Sequence, residues 1–344
     1  MLQRGSELMI AARLHGVGDL RVAGEQDPGE PRPGWSLLQV TSVGICGSDL
    51  HWFTDGGIGE NRIEQPLVPG HEFAAVALTG PHAGQRVAVD PAIACRSCEM
   101  CRDGYHNLCP TVQFAGHGDI DGALQEQLLW PDHLLHPLPD ALSDDAGALL
   151  EPLGVAIHAV GIGHVRPGSD VLVVGAGPIG VLALQVARHS GAKRVFVVEP
   201  LEHRRATALR CGADEVWAPQ PGADAVLEAT QGRGVDVVLE AAGNDDAIAT
   251  AVAAARPGGR VALGGIPSEE ASSFPAAAAR RKGLTFAMVR RMNDTYPRAI
   301  ELATSAIDVD SLVTERHPLA EAATAFTAAA QRQGDKVVVA VSSS

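Results

Sequence analysis

Hydrophobic and polar positions follow two different rhythms along this chain. Up to about residue 155, short β-like runs (LLQVTSVG, FAAVALTG, QRVAVDP, ALQEQLLW) are separated by stretches rich in Gly and Pro. This pattern predicts an irregular, mostly β region. From about residue 168 the runs become wholly apolar and alternate with helical segments. DVLVVGAGPIG is a strand ending in a glycine turn, and PIGVLALQVARHSG is a helix closed by Gly191. Then come RVFVVE (strand), EHRRATALRCGA (helix), EVWA (strand), ADAVLEAT (helix), VDVVLEA (strand), DDAIATAVAAARPGG (helix) and RVALGG (strand). Apolar strands alternating with helices predict a parallel sheet covered on both faces. After about residue 290, YPRAIELATSA and AEAATAFTAAAQRQ read as helices and KVVVAV as a late strand. This tail is too small to stand alone and is expected to return to the first region. The fold class is therefore α/β, with one domain at residues 1–155 and 290–344 and another at 156–289. The first eight residues read as an extension, because Met9 opens the first apolar run.

Composition adds limits. The 344 residues carry a formal charge of −14, and no Lys/Arg run exceeds three residues. That disfavours nucleic acid or an anionic membrane as the main partner. No apolar stretch reaches the roughly 18 residues needed to span a bilayer. The N-terminal MLQRGSELMIAARLHG has neither an apolar segment of signal-peptide length nor a small-residue cleavage site. The chain reads as cytoplasmic, and six cysteines in that setting suggest metal or catalysis before disulfides.

GAGPIG places Gly175, Gly177 and Gly180 as G-x-G-x-x-G, with Pro178 and Ile179 between them. It follows an apolar strand and opens a helix, the context that gives the motif meaning. The first glycine makes the tight turn, the second admits a pyrophosphate, and the third lets helix and strand pack closely. The helix N-terminus offers free N–H groups to the phosphates. Glu199, about twenty residues on, is placed to bind the adenosine ribose hydroxyls. A carboxylate there repels a 2′-phosphate, which favours NAD over NADP; Arg204 and Arg205 close by soften that preference. Gly264 and Gly265, after RVAL, join Arg204 as cofactor-binding candidates. The alternative is that the glycines serve packing alone.

CRSCEMCRDGYHNLCP spaces Cys95, Cys98, Cys101 and Cys109 as C-x2-C-x2-C-x7-C. Four thiolates within fifteen residues can surround one tetrahedral Zn²⁺. The flanking lobe, about residues 92–112, has little apolar core of its own, so the metal would supply one. The run also starts like a ferredoxin motif, down to Pro110, but its last spacing is seven rather than three and no second cluster exists. A closed structural zinc is the reading, with an iron–sulfur cluster as the alternative.

Cys46 stands apart in GICGSDLHW. A catalytic zinc needs about three protein ligands and an open position. Cys46 and His71, in PGHEF, are candidates. Four cysteines are committed to the cluster and Cys211 lies in a helix, so a carboxylate must complete the set. Glu72 and Glu151 both qualify, and spacing alone leaves the choice open.

The motifs GICGSDLH, PGHE, the four-cysteine lobe ending NLCP, DGAL, LLEPL, GAGPIG and LVT-x-R span nearly the whole chain. Together they resemble the zinc-dependent medium-chain dehydrogenases, most closely the polyol (sorbitol/xylitol-type) branch. The resemblance implies a GroES-like, mostly β catalytic domain interrupted by a Rossmann domain, with the active site in the cleft between them. It implies Cys46, His71 and Glu72 as catalytic zinc ligands, with Glu151 beside the metal as a fourth or alternate ligand. It implies Ser48 and His51 as a proton relay. It places Trp52, Phe114 and Arg291 against the substrate, although Trp52 stands where tyrosine is expected and Met292 where an aromatic is expected. It further implies a homotetramer or homodimer, a small-molecule polyol or alcohol substrate, and two zinc ions per chain. The expected reaction moves hydride between a secondary alcohol and NAD, giving the ketone. Two rivals stand beside this: an L-threonine-type amino-alcohol dehydrogenase, which shares the Cys-His-Glu set and the four-cysteine lobe, and a non-catalytic dinucleotide-binding structural or sensor protein holding structural zinc only, against which the intact Cys46, His71, Glu72 and Glu151 argue.

Overall fold

The structure is a computed structural model that describes residues 8–59 and 61–342. Seven of the eight residues read as an extension lie outside the described residues, and the eighth opens the strand Leu8–Gly16. The chain separates into two compact units, residues 1–151 with 296–344, and residues 152–295. The divisions fall at 151/152 and 295/296, against the expected 155/156 and 289/290.

The first unit is built on a seven-stranded sheet. Its order is Leu135–Pro137, Arg86–Val89, Glu72–Ala77, Trp35–Gly44, Lys336–Ala340, Val313–Pro318, and Gln127–Pro131 also pairs with Trp35–Gly44. All pairings are antiparallel except that between the last two strands of the path. The late run KVVVA is buried over its first four residues because it lies inside this sheet rather than at its rim. Phe73, Trp130, Phe326, Leu38 and Leu124 fill the core around it. The helix α1 (Gly47–Asp55) follows the strand Trp35–Gly44 directly, with Cys46 at its N-cap.

The second unit is a six-stranded parallel sheet. Its order is Glu215–Trp217, Arg194–Val198, Asp170–Val174, Val235–Glu240, Ala255–Leu263, Thr285–Met288. Counted along the chain this is 3-2-1-4-5-6, the order of dinucleotide-binding doubly wound sheets. The central strands are apolar apart from Asp170, Arg194, Asp236 and Glu240 at or near their ends, as burial on both faces requires.

Two readings of local structure need correction. The helix expected through Gly259 is Asp245–Ala254, and Ala255–Leu263 is strand. Pro257 pushes the residue before it out of the helical region, and Gly258 and Gly259 have low helix propensity. The strand Thr285–Met288 was not anticipated. It is four residues long and follows the polar helix Ala276–Lys282, so it has little periodic signal of its own.

Candidate active site

Strand register brings the Cys46 group together. Gly44 pairs with Glu72 on one side and with Val338 on the other. Cys46, two residues past Gly44, and His71, one before Glu72, are thus neighbours. One ligand atom from each of Cys46, His71 and Glu72 lies within 4.8 Å of the others. Gly44 has no room for a side chain: a Cβ there would sit 2.3 Å from the Glu72 carboxylate and 3.0 Å from the Lys336 side chain. The strand supplies the space that the carboxylate occupies.

Two buried groups orient these side chains and a third lies close by. Asp49 is fully buried and accepts the Cys46 N–H at 3.0 Å and the Gly70 N–H at 3.3 Å. Its Oδ1 lies 3.2 Å from His71 Nδ1, an ion-pair distance rather than a well-aligned hydrogen bond. A carboxylate on Nδ1 holds the proton there and turns Nε2 to a metal. Lys336 forms a buried ion pair with Glu72 and donates to Ile45 O at 2.8 Å. Glu151, in the first turn of the helix Leu150–Ile162, is 4% exposed. Burial raises its carboxyl to about 7 against the pull of His71, with Glu72 pushing the same way as burial.

The electrostatics favour a cation. Burial alone would push the His71 pKa down, yet Asp49 and Cys46 hold it well above the usual histidine value. A proton on His71 answers the negative charge of its neighbours, as a Zn²⁺ among the same atoms would. One thiolate, one imidazole and one carboxylate, with a further carboxylate nearby, is the donor set of an open catalytic zinc.

Ser48 Oγ stands 3.4 Å from His71 Nε2. His51 Nδ1 pairs with Asp55 Oδ2 at 2.7 Å. Phe114 lies 5.2 Å from His71, ring centre to ring centre. Trp52 does not touch His71 through a ring contact but meets His117 edge-on at 5.6 Å, and His117 in turn packs on His71 and Phe114. Arg291 belongs to the second unit and has a left-handed backbone, φ 55°.

The four-cysteine group is also assembled, with its sulfurs within 4.8 Å of one another. Main-chain N–H groups turn toward three of them: Cys98 N to Cys95 Sγ at 3.3 Å, Cys101 N to Cys98 Sγ at 3.4 Å and Cys95 N to Cys109 Sγ at 3.4 Å. Hydrogen bonds from Ser97 and the Cys98 N–H lower the Cys95 thiol to about 5, while burial raises Cys101 to about 12. Four converging sulfurs, two of them (Cys95 and Cys109) favoured as thiolates by N–H donors, fit a tetrahedral Zn²⁺ with no open position.

In the second unit Gly175 has φ +92°, and a Cβ on Gly180 would fall 1.9 Å from Gly175 O. Gly177 is the N-cap of the helix Pro178–His189, and no side chain caps that end. Its first-turn N–H groups, Ile179 among them, are those a phosphate would take. Glu199 is buried, accepting from Ala176 N at 2.7 Å and Leu201 N at 2.9 Å. Its carboxyl group sits just past the second strand with lone pairs to spare. The Arg204 guanidinium lies against Gly177, while Arg205 donates to the Glu199 and Pro200 carbonyls. Gly264 and Gly265 donate to the Glu240 carbonyl, and a Cβ on Gly265 would strike Gly243 N at 2.0 Å. Their immediate structural task is close packing of two loops.

Residues 32–140 match the alcohol dehydrogenase GroES-like domain family, and residues 178–305 match the zinc-binding dehydrogenase family. The chain is 35% identical to "Sorbitol dehydrogenase" of Bacillus subtilis over 314 residues, 89% of each chain. The chain belongs to the zinc-dependent medium-chain dehydrogenases. It is also 36% identical over 341 residues, 95% of each chain, to "Probable D-xylulose reductase A" of Neosartorya fischeri. Among solved structures, L-idonate 5-dehydrogenase from Escherichia coli superposes with a TM-score of 0.91 at 25% identity, covering 98% of this chain and 99% of that one. This medium-chain dehydrogenase is thus an oxidoreductase of a family that works with zinc and a nicotinamide dinucleotide. Among its described residues no helix is long and apolar enough to cross a membrane.

Sequence reasoning about the dehydrogenase missed Asp49, Asp55, His117 and Lys336. Asp49 carried a signal, since an acid three residues after an N-cap marks a capping box. Lys336 carried a weaker one, a charge opening an otherwise apolar strand.

Proposed function

We propose that this dehydrogenase oxidises a secondary alcohol of a polyol or sugar alcohol to the ketone with NAD. The observation that carries this is the convergence of Cys46, His71 and Glu72 on one point within 4.8 Å. The substrate class is supported by the names of the sorbitol- and xylulose-directed relatives. Cys46, His71 and Glu72 would hold the catalytic zinc, with Glu151 adjacent, and Cys95, Cys98, Cys101 and Cys109 a structural one. When bound, the zinc supplies Lewis-acid polarisation of the substrate oxygen and the nicotinamide accepts hydride. Ser48, beside His71, takes the hydroxyl proton, and His51 passes it outward. Trp52 and Phe114 shape an apolar wall near His71 that excludes water. The glycine turn and the N-terminus of the helix Pro178–His189 bind the pyrophosphate. The Glu199 side chain takes the ribose hydroxyls and leaves no place for a 2′-phosphate, so NAD is the preferred form. The exposed edge strand Thr285–Met288, with Met288 73% exposed, supports a homodimer or homotetramer in a soluble, cytoplasmic enzyme.

The test is absorbance at the reduced-nicotinamide band with NAD⁺ or NADP⁺, against C3–C6 polyols, simple diols and L-threonine. Turnover of one polyol series with NAD⁺ is expected. Turnover of L-threonine alone would move the enzyme to amino alcohols. Silence across the panel in protein holding two zincs per chain would remove the polyol reading.

A further inference from the structure

Helix α1 starts beside the metal group and runs outward. Ser48, His51 and Asp55 occupy positions i, i+3 and i+7, a single stripe of that helix. Exposure rises along the stripe, from 5% for Ser48 to 24% for the His51 side chain and 47% for that of Asp55. At the inner end Ser48 Oγ is 3.4 Å from His71 Nε2, and at the outer end His51 Nδ1 is 2.7 Å from Asp55 Oδ2.

We propose that Asp55 is the outer positioning residue of the proton route, fixing His51 in the tautomer that accepts at Nε2. This deepens the reading above and rests on the relay it gives to Ser48 and His51. An ionised carboxylate can only accept a hydrogen bond. His51, the Thr54 hydroxyl and nearby Arg62 keep Asp55 ionised against its slight burial. His51 Nδ1 must therefore carry a hydrogen in both charge states, and Nε2 becomes the nitrogen that gains and loses one. The neighbours of Asp55 leave that oxygen to His51. Thr54 Oγ1 donates to the other carboxylate oxygen at 2.8 Å, and Arg62 reaches the Asp55 main-chain carbonyl at 3.1 Å rather than the carboxylate. The proton balance closes. The substrate O–H bond breaks, Ser48 takes that proton and gives its own to Nε2, and the imidazolium returns one proton from Nε2 to water. Asp55 keeps its hydrogen bond throughout and supplies the counter-charge while the ring is cationic.

The experiment compares Asp55→Leu, Asp55→Asn, His51→Gln and the Asp55→Leu/His51→Gln pair in zinc-loaded enzyme. ¹⁵N NMR of histidine-labelled protein reads the His51 tautomer, its signal assigned by its loss in His51→Gln. Wild-type protein is expected to show Nδ1 protonated, and Asp55→Leu to shift the ring toward Nε2–H. With the best substrate of the panel above, Asp55→Leu is expected to lower kcat for oxidation about tenfold, a fraction of what a positioned acid–base group supplies. Zinc content and KM for the dinucleotide should stay unchanged, and added imidazole buffer should restore much of the rate. Asp55→Asn, which keeps an acceptor oxygen without the charge, should fall between. The pair should be no slower than His51→Gln alone. An unchanged tautomer in Asp55→Leu, or a loss in the pair beyond that of His51→Gln, would overturn the proposal. A slow His51→Gln with a fully active Asp55→Leu would overturn the role of Asp55 alone. A fully active His51→Gln would overturn the relay itself.

Discussion

At the scale of single residues, the pair that separates this site from a surface cluster is Glu72 with Lys336. Both are almost fully buried, and an uncompensated buried charge on either is costly. Burial would lower the lysine's pKa, but Glu72 and Cys46 hold it raised, so the ammonium persists. It occupies one carboxylate oxygen, and the other is the one that would face the proposed metal. Replacing Lys336 by Met should weaken zinc binding at the Cys46 site about 10- to 100-fold, the usual cost of losing a partner behind a metal ligand. Competition with a chromophoric chelator reads this directly, and an unchanged affinity would show that Glu72 needs no partner. None of this was legible from the sequence, because Lys336 lies 264 positions from Glu72. Cys46, His71 and Glu72 were legible because short motifs carry them. That Glu72 rather than Glu151 groups with Cys46 and His71 was not, since it depends on the pairing of Gly44 with Glu72.

At the scale of elements, the parallel sheet is tied at the N-terminal ends of its strands by a row of ion pairs. Asp236 accepts from Asp170 N at 2.9 Å, from Arg233 Nη2 at 2.5 Å and from Arg256 Nε at 2.6 Å. Asp170 in turn holds Arg194. Burial pushes the Asp236 carboxyl up, but the two guanidiniums and the N–H outweigh it and hold the pKa at about 2. A carboxyl depressed in the fold stabilises it above the unfolded value near 4 and loses that contribution as pH falls toward 2. Asp236→Asn should therefore cost about 1 kcal/mol at pH 7, after screening by solvent. The difference from wild type should close between pH 4 and 2, as followed by thermal melts; a gap independent of pH would mean packing rather than charge. The strands themselves were readable from their unbroken apolar runs. The edge strand Thr285–Met288 was not, since hydrogen bonding to Ala255–Leu263 rather than local pattern makes it a strand.

At the scale of the whole molecule, the two groups of side chains proposed to hold metal share one unit. The cysteine lobe has few buried apolar side chains, Cys101 and Cys109 among them, so its order should depend on metal. Cys98→Ser should reduce zinc from two to one per chain by elemental analysis and lower the melting temperature by about 5 °C or more. The remaining zinc should stay at Cys46. Two zincs retained in this variant would show that the lobe holds none. The proposed division rests in the sequence on the cysteine spacing, one set of four with Cys46 apart, once Cys211 is set aside by its place in a helix.

The strand Lys336–Ala340 lies between Trp35–Gly44 and Val313–Pro318 and brings Lys336 to Glu72. On the ribosome, Cys46, His71 and Glu72 all emerge early, while the strand that completes their sheet emerges almost three hundred residues later. Until then the early half has an open gap in its sheet and an unneutralised carboxylate at its centre. A copy cut short before residue 336 would keep Cys46, His71 and Glu72 and still lack the lysine that pairs with Glu72. Synthesis of this strand is thus the step that brings Glu72 its buried partner.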